Sequence, residues 1–116
     1  GHGVGDVVLQ HFSKILEKSL RKSDYIFRFG GEEFMILLPM TDKEETLSLA
    51  QKICDVTASQ EVTIEKVTIR YTVSIGTLAI VVGNKVSITQ DTIDKYIAQV
   101  DEKLYLAKER GRNRVE

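Results

Sequence analysis

The sequence has one cysteine, one proline, no tryptophan and almost no net charge. Each scarcity excludes a class of protein. Cys54 stands alone in an apolar helical pattern, so one chain can build neither a disulfide framework nor a cysteine-ligated zinc site. A reducing compartment suits that usage. Sixteen Lys and Arg against 17 Asp and Glu leave a net charge of −1. No global basic field therefore draws the chain to nucleic acid or to an anionic membrane. No apolar run approaches the ~18 residues of a membrane span, and no signal peptide opens the chain. The expectation is a soluble, cytoplasmic chain without nucleic-acid or membrane contact, in which local clusters must carry any binding of anions.

What is present is ordinary globular material: 116 residues, 42% hydrophobic and 28% charged, enough for one domain over residues 1–116 with a single core. From Gly5 to Lys22 the residues Val8, Leu9, Phe12, Ile15, Leu16 and Leu20 keep the three-and-four spacing of an amphipathic helix. Tyr25–Phe29 and Phe34–Leu38 read as two strands joined by Gly30–Glu33, with Pro39 ending the second. Thr41 and Glu44 stand in capping-box spacing before a helix whose apolar face is Leu47, Ala50, Ile53 and Cys54. Alternation from Val67 to Ile75 predicts one long strand, with Val62 and Ile64 as a short partner. "TLAIV" is expected to continue beyond Gly76, and Gly83–Asn84 to turn. The last helix runs from Gln90 to Arg110, with Gly111 as C-cap and Val115 opening a final short strand. Helices alternating with hairpins give an α+β domain with helices packed on a sheet.

Four clusters can carry chemistry, and each has a plain structural reading beside it. "GGEE", Gly30 to Glu33, is either a flexible hairpin loop or a site. Glycines admit a ligand close to the main chain, and a bent turn lets Glu32 and Glu33 converge on a cation and a reacting group. "AKERGRN" sets Lys108 and Arg112 four apart on one face of a helix end. They either complement the helix dipole or clamp a polyphosphate. Asp6 in "GHGVGD" is either a favourable first-turn acid or an acceptor for a purine edge. Arg21 and Asp24 of "RKSD" are either a solvated helix end and turn former or a ligand pair. His11 and Cys54 are taken as structural.

These stretches, in this order, resemble the GGDEF family of bacterial diguanylate cyclases. "RFGGEEF" looks like the family's signature strand-turn-strand in its GGEEF variant. "GHGVGD" is similar to its GHxxGD, "YTVSIG" to its TvSiG strand, and "VDEKLYLAKERGRNRV" to its ADxaLYxAKxxGRNxV. The resemblance implies a ferredoxin-like, nucleotidyl-cyclase palm fold with an antiparallel-rich central sheet flanked by helices. It implies condensation of two GTP into cyclic di-GMP and pyrophosphate across a homodimer, with Mg²⁺ or Mn²⁺ as cofactor and a sensor domain upstream. On that pattern Glu32 is a metal ligand and Glu33 the catalytic carboxylate near metal and attacking hydroxyl. Asp6 meets guanine, Gly30 and Gly31 make room for the nucleotide, and Lys108 and Arg112 contact phosphate. Arg21 and Asp24 match the family's RxxD inhibitory site, five residues before the signature, where the product cyclic di-GMP binds.

The family's domain also begins further upstream, with a strand, an Asp metal ligand and further phosphate and guanine contacts that this sequence does not include. The expectation is therefore a domain lacking its first strand, with little or no cyclase activity by itself. The competing readings are a non-catalytic module that binds GTP or cyclic di-GMP, and a ferredoxin-like structural domain with no ligand.

Overall fold

A computed structural model describes residues 3–81 and 88–116. Helix α1 (Val4–Ser19) is followed by strands β1 (Tyr25–Arg28) and β2 (Phe34–Leu37), then helix α2 (Lys43–Ser59). Strands β3 (Val62–Ile64), β4 (Val67–Ile69) and β5 (Ser74–Ile75) lead to helix α3 (Gln90–Glu109), and β6 (Arg114–Val115) closes the chain. The α+β class stands. The strands form three two-stranded sheets: β1 with β2 and β3 with β4 antiparallel, β5 with β6 parallel.

The core lies where the three helices meet the short strands. Ile15 and Leu16 of α1, Ala50, Ile53 and Cys54 of α2, Val62 of β3 and Ala107 of α3 are its buried apolar side chains. Thr57 is buried among them, its hydroxyl donating to the Ile53 carbonyl one turn back at 2.7 Å. Burial removes Cys54 from solvent; this and the neighbouring Asp55 charge raise its thiol above the usual range. The thiol faces the Val73 carbonyl and the Asn113 side chain, so a small polarizable group joins α2 to the segments that enter the paired strands β5 and β6.

Several boundaries differ from the sequence expectation, each for a local reason. Helix α1 stops at Ser19 rather than Lys22, because Leu20 turns extended and Asp24 accepts the Arg21 amide at 2.8 Å. The cap of α2 is Asp42, which accepts from the Glu45 amide at 2.8 Å, and not Thr41 with Glu44. The Thr41 hydroxyl is committed elsewhere, to the Pro39 carbonyl and the Arg21 guanidinium. The long strand from Val67 to Ile75 is two strands. Between them Arg70 pairs with Glu61, and Tyr71 points at His11, their Oη and Nδ1 2.6 Å apart. Period-two alternation reports which way side chains point, whereas a strand also needs a neighbour, and here the neighbour changes from β3 to β6. "TLAIV" carries no strand; Thr77 instead donates its amide to the Glu116 carbonyl, extending the β5–β6 pair. The Gly83–Asn84 turn lies outside the described residues.

The chain at the end of β5 lies close against α3. A Cβ on Gly76 would lie 2.4 Å from the Leu104 amide nitrogen and 2.8 Å from the Val100 carbonyl oxygen, both backbone atoms of α3. Only a residue without a side chain lets the strand lie on the helix this closely. Gly76→Ala is expected to destabilise the domain by about 1–3 kcal/mol or more, since the clash is with backbone that cannot rotate away. Denaturant titration checks this, and an unchanged midpoint would contradict the packing. A second expectation concerns Tyr71, whose phenol is pushed up to about 12 by desolvation, from an ordinary value of 10. Between those values the unfolded chain gives up the proton while the folded one keeps it. Stability is therefore full below pH ~10 and falls as pH rises toward 12. Tyr71→Phe is expected to show a shallower fall over that interval, measured by denaturant titration at successive pH values.

Candidate active site

The signature turn is built by β1 and β2 in the register Arg28↔Phe34, closed by the Phe29 amide donating to the Glu33 carbonyl at 2.8 Å. Gly30, Gly31 and Glu32 form the tip. Gly30 takes φ +134°, a conformation that a side chain would strain. A Cβ at Gly30 or Gly31 would meet nothing within 4 Å, so the main chain there is open to an approaching group. The Arg28 guanidinium reaches over the tip and donates to the Gly31 carbonyl at 2.6 Å. Edge-to-face packing of Phe34 on Phe12, 5.5 Å between centroids, holds the hairpin to α1.

The last turn of α3 comes to this tip. Lys108 Nζ lies 3.5 Å from Glu33 Oε1, both side chains partly exposed. Arg112 does not continue the helical face of Lys108, as spacing suggested. The helix ends at Glu109, Gly111 takes φ +120°, and Arg112 sits beyond it at φ +60° with its amide donating to the Ala107 carbonyl. That is a Schellman ending, which reverses the chain and sends it into β6.

Asp6 lies in the first turn of α1, behind the capping position of Gly3. With Leu9, Gln10 and Ser13 of the same helical face, and Arg28 and Phe34 of the hairpin, it lines a cleft of about 220 Å³. The fold therefore brings Asp6 to the hairpin on one side and Lys108 to it on another.

Arg21 and Asp24 lie at the opposite end of β1 from the glycine tip. The Asp24 side chain is 1% exposed: one oxygen accepts the Arg21 amide, and the other, Oδ1, is buried with no hydrogen-bond partner. Arg21 Nε stands 3.9 Å from the same carboxylate, and its Nη2 donates to Thr41 at 2.7 Å. Both line a larger cleft, about 480 Å³, whose far wall is α2. An orphaned buried oxygen beside a half-exposed guanidinium is polar capacity that the fold itself does not use.

Among the described residues no group of three or more His, Cys, Asp or Glu side chains is set to hold a cation. Glu32 and Glu33 offer two carboxylates on consecutive residues. A small hard cation commonly takes one or two carboxylates and fills its shell with phosphate oxygens and water. This donor set therefore fits a cation that arrives with a polyphosphate. Sequence reasoning grouped Lys108 with Arg112 and missed its pairing with Glu33, which only the tertiary fold creates. It also passed over Arg28, two residues before the glycine pair, for which strand periodicity gives no signal.

Comparison with known proteins follows the same outline. The family described as "Diguanylate cyclase, GGDEF domain" matches residues 1–114. Diguanylate cyclase DgcM of Escherichia coli K12 is 44% identical over 119 residues, which cover 99% of this chain and 26% of DgcM. The chain spans about a quarter of the length of the curated relatives it matches. Among solved structures, diguanylate cyclase SiaD of Pseudomonas aeruginosa, in complex with its activator SiaC, superposes with a TM-score of 0.85 at 28% identity. That match covers 100% of this chain and 42% of SiaD. The active GGEEF domain of a Vibrio cholerae diguanylate cyclase gives 0.71 at 26% identity, over 99% of this chain and 69% of that one. No helix among the described residues is long and apolar enough to cross a membrane. A glycine-tipped hairpin with paired glutamates, met by a lysine from the last helix and lying within a family match over nearly its whole length, makes this chain a member of the GGDEF family of diguanylate cyclase domains.

Proposed function

We propose that this domain, within its whole protein, condenses two GTP molecules into cyclic di-GMP and pyrophosphate. The observation that carries the reading is the meeting of Glu33 and Lys108 at the open glycine tip. In each half-reaction the 3′-oxygen of one nucleotide bonds to the α-phosphorus of the other, and the bond from that phosphorus to pyrophosphate breaks. Two such steps close the ring, so two copies of the domain must face each other with one GTP on each.

Each residue has a task suited to its place. Asp6, at the cleft beside the hairpin, accepts from the donor edge of guanine. Gly30 and Gly31 let the nucleotide lie against the main chain, and Arg28 holds the turn in shape through the Gly31 carbonyl. Glu32 and Glu33 would hold Mg²⁺ or Mn²⁺, which when bound supplies charge neutralisation for the phosphates. Glu33 also faces the attacking hydroxyl and receives its proton. Lys108 leaves Glu33 for the phosphates as the nucleotide enters; a half-exposed ion pair is weak enough, at about 0–1 kcal/mol, to exchange partners readily. Arg112, on the reversed chain just past the helix, adds a second cation to the phosphate side. The GGEEF domain of Vibrio cholerae is described as active, which supports catalysis with Glu rather than Asp in third place.

At the other end of the hairpin, Arg21 and Asp24 bind the product and provide feedback inhibition. The buried Asp24 carboxylate with an unused oxygen supports this site, because a guanine edge supplies the N–H donors it lacks. A cytoplasmic location and control by an attached sensor domain complete the reading. By itself the stretch of residues 1–116 is expected to show little or no cyclase activity, and comparable output from it and from a chain extended upstream would contradict this.

Two outcomes are expected. Glu33→Ala in the whole protein removes cyclic di-GMP production by at least ~100-fold while leaving the circular dichroism spectrum unchanged; retained turnover would remove Glu33 from the chemistry. Arg21→Ala and Asp24→Ala each abolish calorimetric binding of cyclic di-GMP under conditions where GTP is absent. Unaltered binding in either would remove the inhibitory site.

A further inference from the structure

The guanidinium of Arg21 is not left to find its own position. Its Nη2 donates to Thr41 Oγ1 at 2.7 Å, and the Thr41 hydroxyl in turn donates to the Pro39 carbonyl at 3.0 Å. A hydroxyl has one proton, so committing it to Pro39 presents a lone pair, and not the proton, to the arginine. Nε meanwhile faces the Asp24 carboxylate at 3.9 Å. One edge of the guanidinium is thus hydrogen-bonded and another lies near a carboxylate, on two separate segments of chain, and the group lines the cleft.

The surroundings explain why an anchor is needed. The same cleft is lined by Glu44, Glu45 and Lys52 of α2. A long side chain more than half exposed, without an anchor, is free to turn toward those carboxylates. Holding it against Thr41 keeps its charge directed at the cleft. Thr41 itself is placed by an unusual turn: Met40 before it takes φ +55°, and Asp42 after it caps α2, so the hydroxyl is fixed from both sides.

We propose that Thr41 is a positioning residue for the anionic ligand of this cleft, presetting the Arg21 guanidinium through its hydroxyl. The proposal rests on the reading of Arg21 and Asp24 as a cyclic di-GMP site. Thr41 lies outside the RxxD motif and belongs to a different segment of chain, so the motif alone does not disclose it. Its contribution is pre-organisation: without the hydroxyl, a rotamer-rich side chain must be ordered during binding, which weakens affinity roughly three- to tenfold.

The test is calorimetric titration of the 116-residue chain with cyclic di-GMP, using Thr41→Val, Thr41→Ser and Arg21→Ala. Valine keeps the shape and removes the hydroxyl, whereas serine keeps the hydroxyl and removes only the methyl group. The expected result is a loss of roughly three- to tenfold for Thr41→Val and near wild-type affinity for Thr41→Ser. Wild-type affinity in Thr41→Val, with binding lost in Arg21→Ala, would overturn the role of Thr41 and leave the inhibitory site standing. Equal losses in the valine and serine variants would also overturn it, since methyl packing and not the hydroxyl would then matter. Unaltered binding in Arg21→Ala would remove the site and the proposal together.

Discussion

The close approach of β5 to α3 at Gly76 is the constraint from which the rest of the site follows. With no side chain between them, the chain at Gly76 lies against the backbone of Val100 and Leu104, closer than a Cβ would allow. Ala107, one turn later, is fully buried and keeps this end of the helix in the core. The Schellman ending then reverses the chain so that β6 pairs with β5, with Glu116 accepting from Thr77 and donating to Ile75. A helix pinned at its middle and at its end can place one residue of its last turn accurately. That residue is Lys108, and it comes to the Glu33 carboxylate.

The hairpin is gripped at its two ends as well as by its own ladder. At the base, Asp24 precedes β1, and the Pro39 carbonyl follows β2; both belong to the network of Arg21 and Thr41. At the tip, Arg28 braces the Gly31 carbonyl and Phe34 packs on Phe12. A four-residue pair of strands on its own is marginal in water. Its polar ends are where ligands are proposed to act, and both ends combine a guanidinium with an acceptor supplied by the turn.

Much of this was legible in the sequence because short-range chemistry decided it. The three helices and the glycine hairpin followed from apolar spacing and turn residues, and the family resemblance from stretches such as "RFGGEEF" and "AKERGRN". The strand from Val67 to Ile75 was misread because alternation persists through Arg70 and Tyr71 while the pairing partner changes. The cap of α2 was misread because Thr41 and Asp42 are both good caps, and Arg21, twenty residues away, engages the first of them. Lys108 and Arg112 were placed on one face by counting, but the positive φ values after Glu109 take Arg112 off the helix. The pairing of Lys108 with Glu33 spans most of the chain, and no local pattern could announce it.

In the proposed function, residues distant in sequence form one nucleotide centre at the glycine tip, separate from the cleft of Arg21 and Asp24. Amide chemical-shift mapping by NMR, with a non-hydrolysable GTP analogue and Mg²⁺ and then with cyclic di-GMP, tests it most directly. The account predicts that the GTP analogue shifts Asp6, Gly30 to Glu33 and Lys108 together, and that cyclic di-GMP shifts Arg21, Asp24 and Thr41. Shifts by the GTP analogue that spare the hairpin tip and Lys108, or that fall in the Arg21 cleft instead, would contradict it.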